Sequence, residues 1–220
     1  VVDEKYRFKV ECNHTATHLL HQALREVLGM HVEQKGSAVN SKYLRFDFSH
    51  FSKVSKEEID KVEQMVNNEI RKSISLVEKR GIPIKEAKAS GAMMLFGEKY
   101  GELVRTIQFG NSIELCGGIH VNSTSEIGSF KILSESSISA GIRRIEAISS
   151  TKADEFLANK VSIANEVSLL LKNPNDVINA VKDLQKENQQ LLKVIEKFKK
   201  ENLKNIKTDL ISSAELINDI

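Results

Sequence analysis

Two short motifs, about a hundred residues apart, carry the side chains best suited to chemistry. His14 and His18 are separated by one helical turn, so both imidazoles lie on the same face of a helix. Cys116 and His120 flank the pair Gly117-Gly118, which lets the backbone turn so that both side chains face one point. Three imidazoles and a thiolate form a complete ligand set for zinc, which accepts mixed nitrogen and sulfur ligands.

Either motif alone is weak evidence for a metal, because histidines at this spacing often occur by chance. Their combination favours a zinc site formed by all four side chains. Four protein ligands would close a tetrahedral site, so catalysis there needs a weakly held fourth ligand or a five-coordinate ion. We expect Cys12 to be a packed thiol and His21 to lie beside the ligands or to face a substrate.

The first motif is predicted to lie at the start of a helix over residues 14–28. Asn13 is a suitable N-cap, apolar residues recur at helical spacing, and Gly29 follows the last of them. A short strand is expected before this helix, at residues 6–10. The side of the helix away from the apolar stripe carries one polar row: His14, His18, His21 and Arg25.

The middle of the chain combines a turn, a strand and a long helix. Residues 34–37 are predicted to form the turn, and the alternation over residues 42–48 predicts a half-buried strand. Ser55 and Glu58 have the spacing of a capping box. The helix that they begin is expected to reach about Arg80, where the following glycine and proline end it.

Strand patterns cluster late in the first 150 residues. They follow a short helix and turn predicted at 87–101, and they occupy residues 103–109, 112–116, 128–134 and 142–148. Because helices come early and strands late, without regular βαβ alternation, we predict an α+β fold with a mostly antiparallel sheet.

Only helical patterns remain after residue 150. One helix is predicted at about 152–171, and Asn173-Pro174-Asn175 separates it from a second one. That helix has an apolar seam over residues 177–202, with positions stepping by four and three: Val177, Val181, Leu184, Asn188, Leu191, Ile195, Phe198 and Asn202. We therefore predict two domains, 1–150 and 151–220. The second is either a helical hairpin or a coiled coil through which the chain self-associates.

Composition narrows the functional classes. The 220 residues include 32 Lys plus Arg against 30 Asp plus Glu, a net charge of +2, so any nucleic acid would bind through a local patch. No apolar run is long enough to cross a bilayer, and no membrane partner is expected. Two cysteines make no disulfide framework and favour a reducing, cytoplasmic location. Because the chain begins with Val1, we expect it to be a piece of a longer protein.

Together, the motifs resemble the editing domain of alanyl-tRNA synthetases. The resemblance covers about residues 6–149 and includes four further strings: QKGS at 34–37, LRFDFSH at 44–50, GAMMLFGEKY at 91–100 and SAGIRRIE at 139–146. Residues after 150 resemble the start of that family's C-terminal segment. One departure is Ile119, where the family usually has threonine, and it makes this position of the site more apolar.

The resemblance implies zinc-dependent hydrolysis of serine or glycine wrongly attached to tRNA(Ala). In that reaction Thr15 would contact the serine hydroxyl, and Gln34 would position substrate or water. Four basic side chains would hold the acceptor end of tRNA(Ala): Lys35, Arg45, Arg143 and Arg144. The alternative is a structural zinc module that binds tRNA or a partner chain without catalysis.

Overall fold

The computed structural model describes residues 2–94 and 100–214. Two compact units make up the chain, Val1–Ala158 and Asn159–Ile220. In chain order the elements are α1 (Glu4–Leu28), β1 (Gln34–Val39), β2 (Leu44–Ser49), α2 (Lys56–Arg71), β3 (Val77–Pro83), α3 (Ile84–Ala89), β4 (Leu103–Phe109), β5 (Ser112–Leu115), a 3₁₀ turn (Thr124–Ile127), β6 (Phe130–Ser139), β7 (Ile142–Ser149), α4 (Ser150–Leu170) and α5 (Val177–Ser212).

The described strands form two antiparallel sheets. One has four strands in the order β1-β2-β7-β6, and the other has three in the order β3-β4-β5. The α+β class and the antiparallel pairing are confirmed. The four late strands and the strand at 42–48 also lie close to their predicted places.

Helix α1 begins ten residues earlier than predicted, so the strand at 6–10 and the N-cap at Asn13 are wrong. Asp3 is the N-cap, and its carboxylate accepts a hydrogen bond of 3.0 Å from the backbone N–H of Tyr6. The side chain of Asn13 is instead buried, where it donates to Asn40 O and accepts from Ser149 Oγ. The added turns place Arg7 in line with the histidine row.

Helix α2 has the predicted capping box at Ser55 and Glu58 but ends at Arg71, not near Arg80. Ser73 adopts a φ of 53°, which ends the helical hydrogen bonding, and the chain then enters β3. The apolar spacing that suggested a longer helix thus continues into a strand.

Two shorter predictions also differ from the structure. The turn at 34–37 is wrong, because these residues begin β1. The predicted helix at 87–101 corresponds only to the end of α3, and part of the predicted turn lies outside the described residues.

The core of the first unit lies between α1, α2 and the four-stranded sheet. Helix α1 contributes its apolar stripe, the sheet contributes the inward face of β2, and α2 adds three aliphatic residues. The largest fully buried side chains are Leu20, Leu24, Leu44, Phe46, Phe48, Val62, Val66, Phe109, Ile107, Ile127, Val32 and Ile145. This core fixes α1, so that His14 and His18 face the loop after β5, while His21 lies between Glu114 of β5 and Phe46 of β2.

The second unit is helical in its described part. Helix α5 is long, is capped by Asp176, and has no buried residue. None of the described helices is long and apolar enough to cross a membrane.

Candidate functional site

The structure brings the two predicted motifs together. His14 and His18 project from α1, and Cys116 and His120 project from the loop after β5. One ligand atom from each of the four side chains lies within 4.8 Å of the others. Such a group could hold a metal ion.

Two neighbours fix the orientation of two of the imidazole ligands. The Nδ1 of His14 lies 3.2 Å from the carbonyl of Ile119, and the Nδ1 of His120 lies 3.1 Å from the hydroxyl of Thr15. Because a carbonyl oxygen only accepts, His14 Nδ1 donates and leaves Nε2 free towards the cluster. The Nε2 atoms of His14 and His120 accordingly lie 3.5 and 3.3 Å from the sulfur of Cys116.

Glu114 lies beside the third imidazole, that of His18, and no sequence pattern predicted it. Its carboxylate lies 3.0 Å from Nδ1 of His21 and 3.5 Å from Nδ1 of His18, a contact longer than a good hydrogen bond. Only 4% of Glu114 is exposed. Burial alone would raise the pKa of this carboxyl, but His18 and His21 outweigh burial and hold it below its usual value.

Burial keeps the imidazoles of the cluster neutral. It lowers the pKa of His14 to about 4, with a further contribution from His18, and it also lowers the pKa values of His18 and His120. A neutral imidazole is the form that binds a metal, so the three histidines are in their ligating form at neutral pH.

The loop between the second pair of ligands is held by Arg105, which sequence reasoning also missed. Its guanidinium donates to the carbonyls of Cys116 and Gly118 at 3.0 and 2.5 Å, and it pairs with Glu78. The loop is therefore fixed from β4 as well as from its own ends.

Thr15 and Gln34, the two predicted catalytic residues, occupy different surroundings. Thr15 is fully buried behind the cluster, where its hydroxyl contacts His120 and accepts from the N–H of Val121. Gln34 is half-buried on β1 and donates to Ser37 Oγ. Contact of either residue with a substrate stays a prediction.

The four predicted RNA-binding residues lie on β1, β2 and β7 and all have acidic neighbours. Arg144 makes two hydrogen bonds to Asp47, at 2.7 and 2.8 Å. The other basic groups also lie near carboxylates: Lys35 beside Glu33, Arg45 beside Asp47, and Arg143 beside Glu135. Binding of tRNA by these groups also stays a prediction.

Two openings flank the ligand cluster along one row of α1. The row consists of Arg7, Glu11, His14, His18, His21 and Arg25. A cleft of about 640 Å³, here called the arginine cleft, is lined by Arg7, Arg80, Arg105 and residues 117–120. A cavity of about 340 Å³, here called the His21 cavity, is lined by His21, Gln34 and Met93 among others.

A family comparison assigns the second half of the site to a class of synthetase domains. Residues 104–146 match the family described as the second additional domain of threonyl and alanyl tRNA synthetases. This stretch contains Arg105, Glu114 and the Cys116/His120 ligand pair.

Comparisons over all or most of this chain point to one synthetase in particular. The chain is 53% identical over 220 residues to the alanine–tRNA ligase of Christiangramia forsetii, covering 100% of this chain and 25% of that protein. It is 59% identical over 173 residues to the alanine–tRNA ligase of Cytophaga hutchinsonii, covering 78% of this chain and 20% of that protein. It is 52% identical over 219 residues to the alanine–tRNA ligase of Flavobacterium psychrophilum, covering 100% of this chain and 25% of that protein.

The chain thus spans about a quarter of the length of the curated relatives it matches. It corresponds to one segment of the alanine–tRNA ligases that it matches, and the resemblance predicted from the motifs is confirmed.

Proposed function

We propose that this chain is the proofreading part of an alanyl-tRNA synthetase, and that it hydrolyses seryl- or glycyl-tRNA(Ala) with zinc bound. The observation that carries the proposal is the meeting of His14, His18, Cys116 and His120 between two openings. The arginine cleft reaches the loop that carries His120, and the His21 cavity begins at His21, one turn of α1 beyond His18. A substrate whose ester lies at the cluster could extend in both directions along α1.

The geometry of the cluster fits zinc. A tetrahedral zinc ion with bonds of about 2.0–2.1 Å to nitrogen and about 2.3 Å to sulfur holds a sulfur and a nitrogen ligand about 3.5 Å apart. The sulfur of Cys116 lies 3.5 and 3.3 Å from the nitrogens of His14 and His120. This agreement, together with the neutral imidazoles, supports zinc as the resident metal.

The protein residues hold the reacting groups in place. When bound, zinc would supply a coordinated water of lowered pKa and would polarise a carbonyl oxygen, provided that one protein ligand is displaced or the ion becomes five-coordinate. His14, His18, Cys116 and His120 would hold the ion, while Glu114, Thr15 and Ile119 orient the imidazoles. Thr15 and Gln34 would then act on the aminoacyl group or on water.

The need for such a site follows from the size of alanine. A pocket for alanine cannot sterically exclude glycine. An apolar pocket discriminates between two substrates that differ by one small group by only about 10–200-fold. A separate hydrolytic site can select in the opposite sense, by a hydrogen bond that alanine cannot make.

Binding of the tRNA(Ala) acceptor end would use basic side chains of the four-stranded sheet. Arg143 and Arg144 each pair with one carboxylate, which leaves guanidinium N–H groups for phosphate oxygens. We propose that these two arginines, with Lys35 and Arg45, position the RNA backbone.

Release of serine from Ser-tRNA(Ala) tests the proposed activity. We expect the zinc-loaded chain to release serine, and we expect the release to be lost in His18→Ala and Cys116→Ala, because each removes a ligand. Cys12→Ala is the matched control, since Cys12 is the second cysteine, is buried in the core and makes no contact with the cluster. Circular dichroism would establish that each variant is folded.

The opposite result would favour the non-catalytic alternative. If zinc binds with the expected stoichiometry but serine is released no faster than from tRNA alone, the cluster is a structural module.

We also propose that the chain self-associates through residues 177–202. The apolar seam on α5 is exposed, including Leu184, Leu191, Ile195 and Phe198. Unpaired, such a seam leaves a large apolar stripe in water, which is typical of helices that pair with a second helix.

Sedimentation velocity tests this association. We expect a concentration-dependent dimer or larger species, which is lost when residues 177–220 are deleted and in Leu191→Asp, because a carboxylate would enter the seam. Gln190→Asp adds the same charge on the outer side of the helix and should leave the assembly unchanged. A wild-type chain that sediments as a monomer at every concentration removes the proposal.

A further inference from the structure

His21 is a buried imidazole that the zinc ligand set does not use. Only 4% of the residue is exposed, and its Nδ1 lies 3.0 Å from Oε1 of Glu114. Its other nitrogen, Nε2, is buried and has no hydrogen-bond partner among the residues that the structure describes. The same residue lines the His21 cavity.

The pairing with Glu114 determines what Nε2 can do. A carboxylate oxygen accepts hydrogen bonds, so Nδ1 of His21 is the donor and carries the hydrogen. In the neutral form of the ring, Nε2 then presents a lone pair. A buried acceptor without a donor is unfavourable, and a ligand that donates a hydrogen bond in this cavity would satisfy it.

The surroundings relate this acceptor to the metal centre. Glu114 accepts a hydrogen bond from His21 and lies 3.5 Å from Nδ1 of His18, a ligand, so a single carboxylate lies beside both rings. His18 and His21 are neighbours on the same row of α1, one turn apart. Gln34 lines the same cavity and adds a second uncharged polar group.

The two openings differ in the ligand chemistry that they suit. The arginine cleft is the larger, which suits a nucleotide. Its three arginines pair with Glu11 and Glu78 of the same cleft, and their remaining guanidinium N–H groups can bind a phosphate. The His21 cavity is smaller and, besides the charged Arg25, Glu33 and Lys88, offers neutral groups and the methionines Met93 and Met94. A small aminoacyl group fits the second opening better.

We propose that the His21 cavity is the aminoacyl subsite and that Nε2 of His21 accepts a hydrogen bond from the aminoacyl group. The inference rests on the proposed function and adds a substrate-binding residue to it. The donor is either the α-ammonium group or the serine hydroxyl, both of which carry hydrogens that a neutral imidazole can accept.

Binding of three non-hydrolysable amides of 3′-amino-3′-deoxyadenosine separates these donors. The seryl amide has both groups, the glycyl amide has only the ammonium, and the 3-hydroxypropionyl amide has only the hydroxyl. His21→Asn keeps a donor near the Nδ1 position for Glu114 but lacks Nε2, while His21→Gln places a polar group near the Nε2 position. Affinities would be measured by isothermal titration calorimetry on the zinc-loaded chain, with zinc content and melting temperature recorded for each variant.

Whether the donor is the ammonium group or the hydroxyl, we expect His21→Asn to bind the seryl amide at least tenfold more weakly at unchanged zinc content. His21→Gln should recover part of this loss. If the ammonium is the donor, the glycyl amide weakens equally and the 3-hydroxypropionyl amide does not. If the hydroxyl is the donor, the pattern is reversed.

The inference is overturned if His21→Asn binds all three amides as the wild-type chain does, or weakens the unsubstituted nucleoside to the same extent. Failure of the proposed function gives a different result, since the wild-type chain would then bind none of the amides more tightly than the nucleoside and would release no serine from Ser-tRNA(Ala).

Discussion

Gly118→Ala should remove zinc from the protein, whereas Gly117→Ala, one residue earlier, should leave it bound. A Cβ atom at Gly118 would collide with Cε1 of His14 and lie only 2.5 Å from its Nδ1. His14 cannot move aside without leaving the cluster, because its ring also contacts Ile119 and stacks on His120. A Cβ at Gly117 would meet no atom within 4 Å.

Competition with a fluorescent chelator measures the zinc affinity of both variants. We expect Gly118→Ala to lose about 100-fold or more in affinity, as for loss of a ligand or of its support, and to lose deacylation with it. Gly117→Ala should match the wild-type chain in both measurements. Equal affinities for the two variants would mean that the loop relaxes freely, and the close approach of His14 would then have no role.

The parts of the site that the sequence predicts are those defined by residue type. Histidine and cysteine at metal-ligand spacing indicate a ligand set, whatever the fold between them. The close packing of Gly118 against His14 depends on how α1 meets the β5 loop, and two residues 104 positions apart carry no local signal of that contact. The sequence therefore explains both glycines by their backbone freedom. It does not show that Gly118 must also lack a Cβ atom to leave room for the ring of His14.

The predicted helix ends are wrong where a periodic pattern of side chains continues across the true or the predicted end of a helix. Arg7 and Glu11 continue the row of His14 and His18, but the alternation over residues 6–10 and the capping ability of Asn13 favoured a later start of the helix. In α2 the apolar spacing continues past Arg71, although the left-handed backbone at Ser73 ends the helix. The late strands were found because alternation and flanking turns agreed there.

Glu114 shows why the support of the metal ligands was missed. It lies in the four-residue strand β5, two residues after Ser112, and both side chains are buried on one face. A glutamate in such a short strand is usually exposed, and its partner His21 lies 93 residues away in the sequence. Only the packing of β5 against α1 turns this carboxylate into a support for two imidazoles.

Removal of that carboxylate should weaken both the fold and the metal site. Glu114→Ala leaves the Nδ1–H group of His21 buried without an acceptor, at about 1–3 kcal/mol. We therefore expect the free energy of unfolding to fall by about 1–3 kcal/mol, measured by urea denaturation. Zinc affinity should fall by about 10–100-fold, the usual effect of losing a carboxylate behind a histidine ligand.

Glu63→Ala separates these two effects. Glu63 accepts from the N–H of Ile132 and pairs with Lys131, so it supports β6 from α2 and makes no contact with the cluster. The Glu63→Ala variant should have a lower free energy of unfolding than the wild-type chain but the same zinc affinity. Glu114→Gln preserves the volume and one acceptor, and its zinc affinity should therefore lie between those of the wild-type chain and Glu114→Ala. If Glu114→Ala binds zinc as tightly as Glu63→Ala does, the carboxylate acts only in packing, and the orientation of His18 must come from α1 alone.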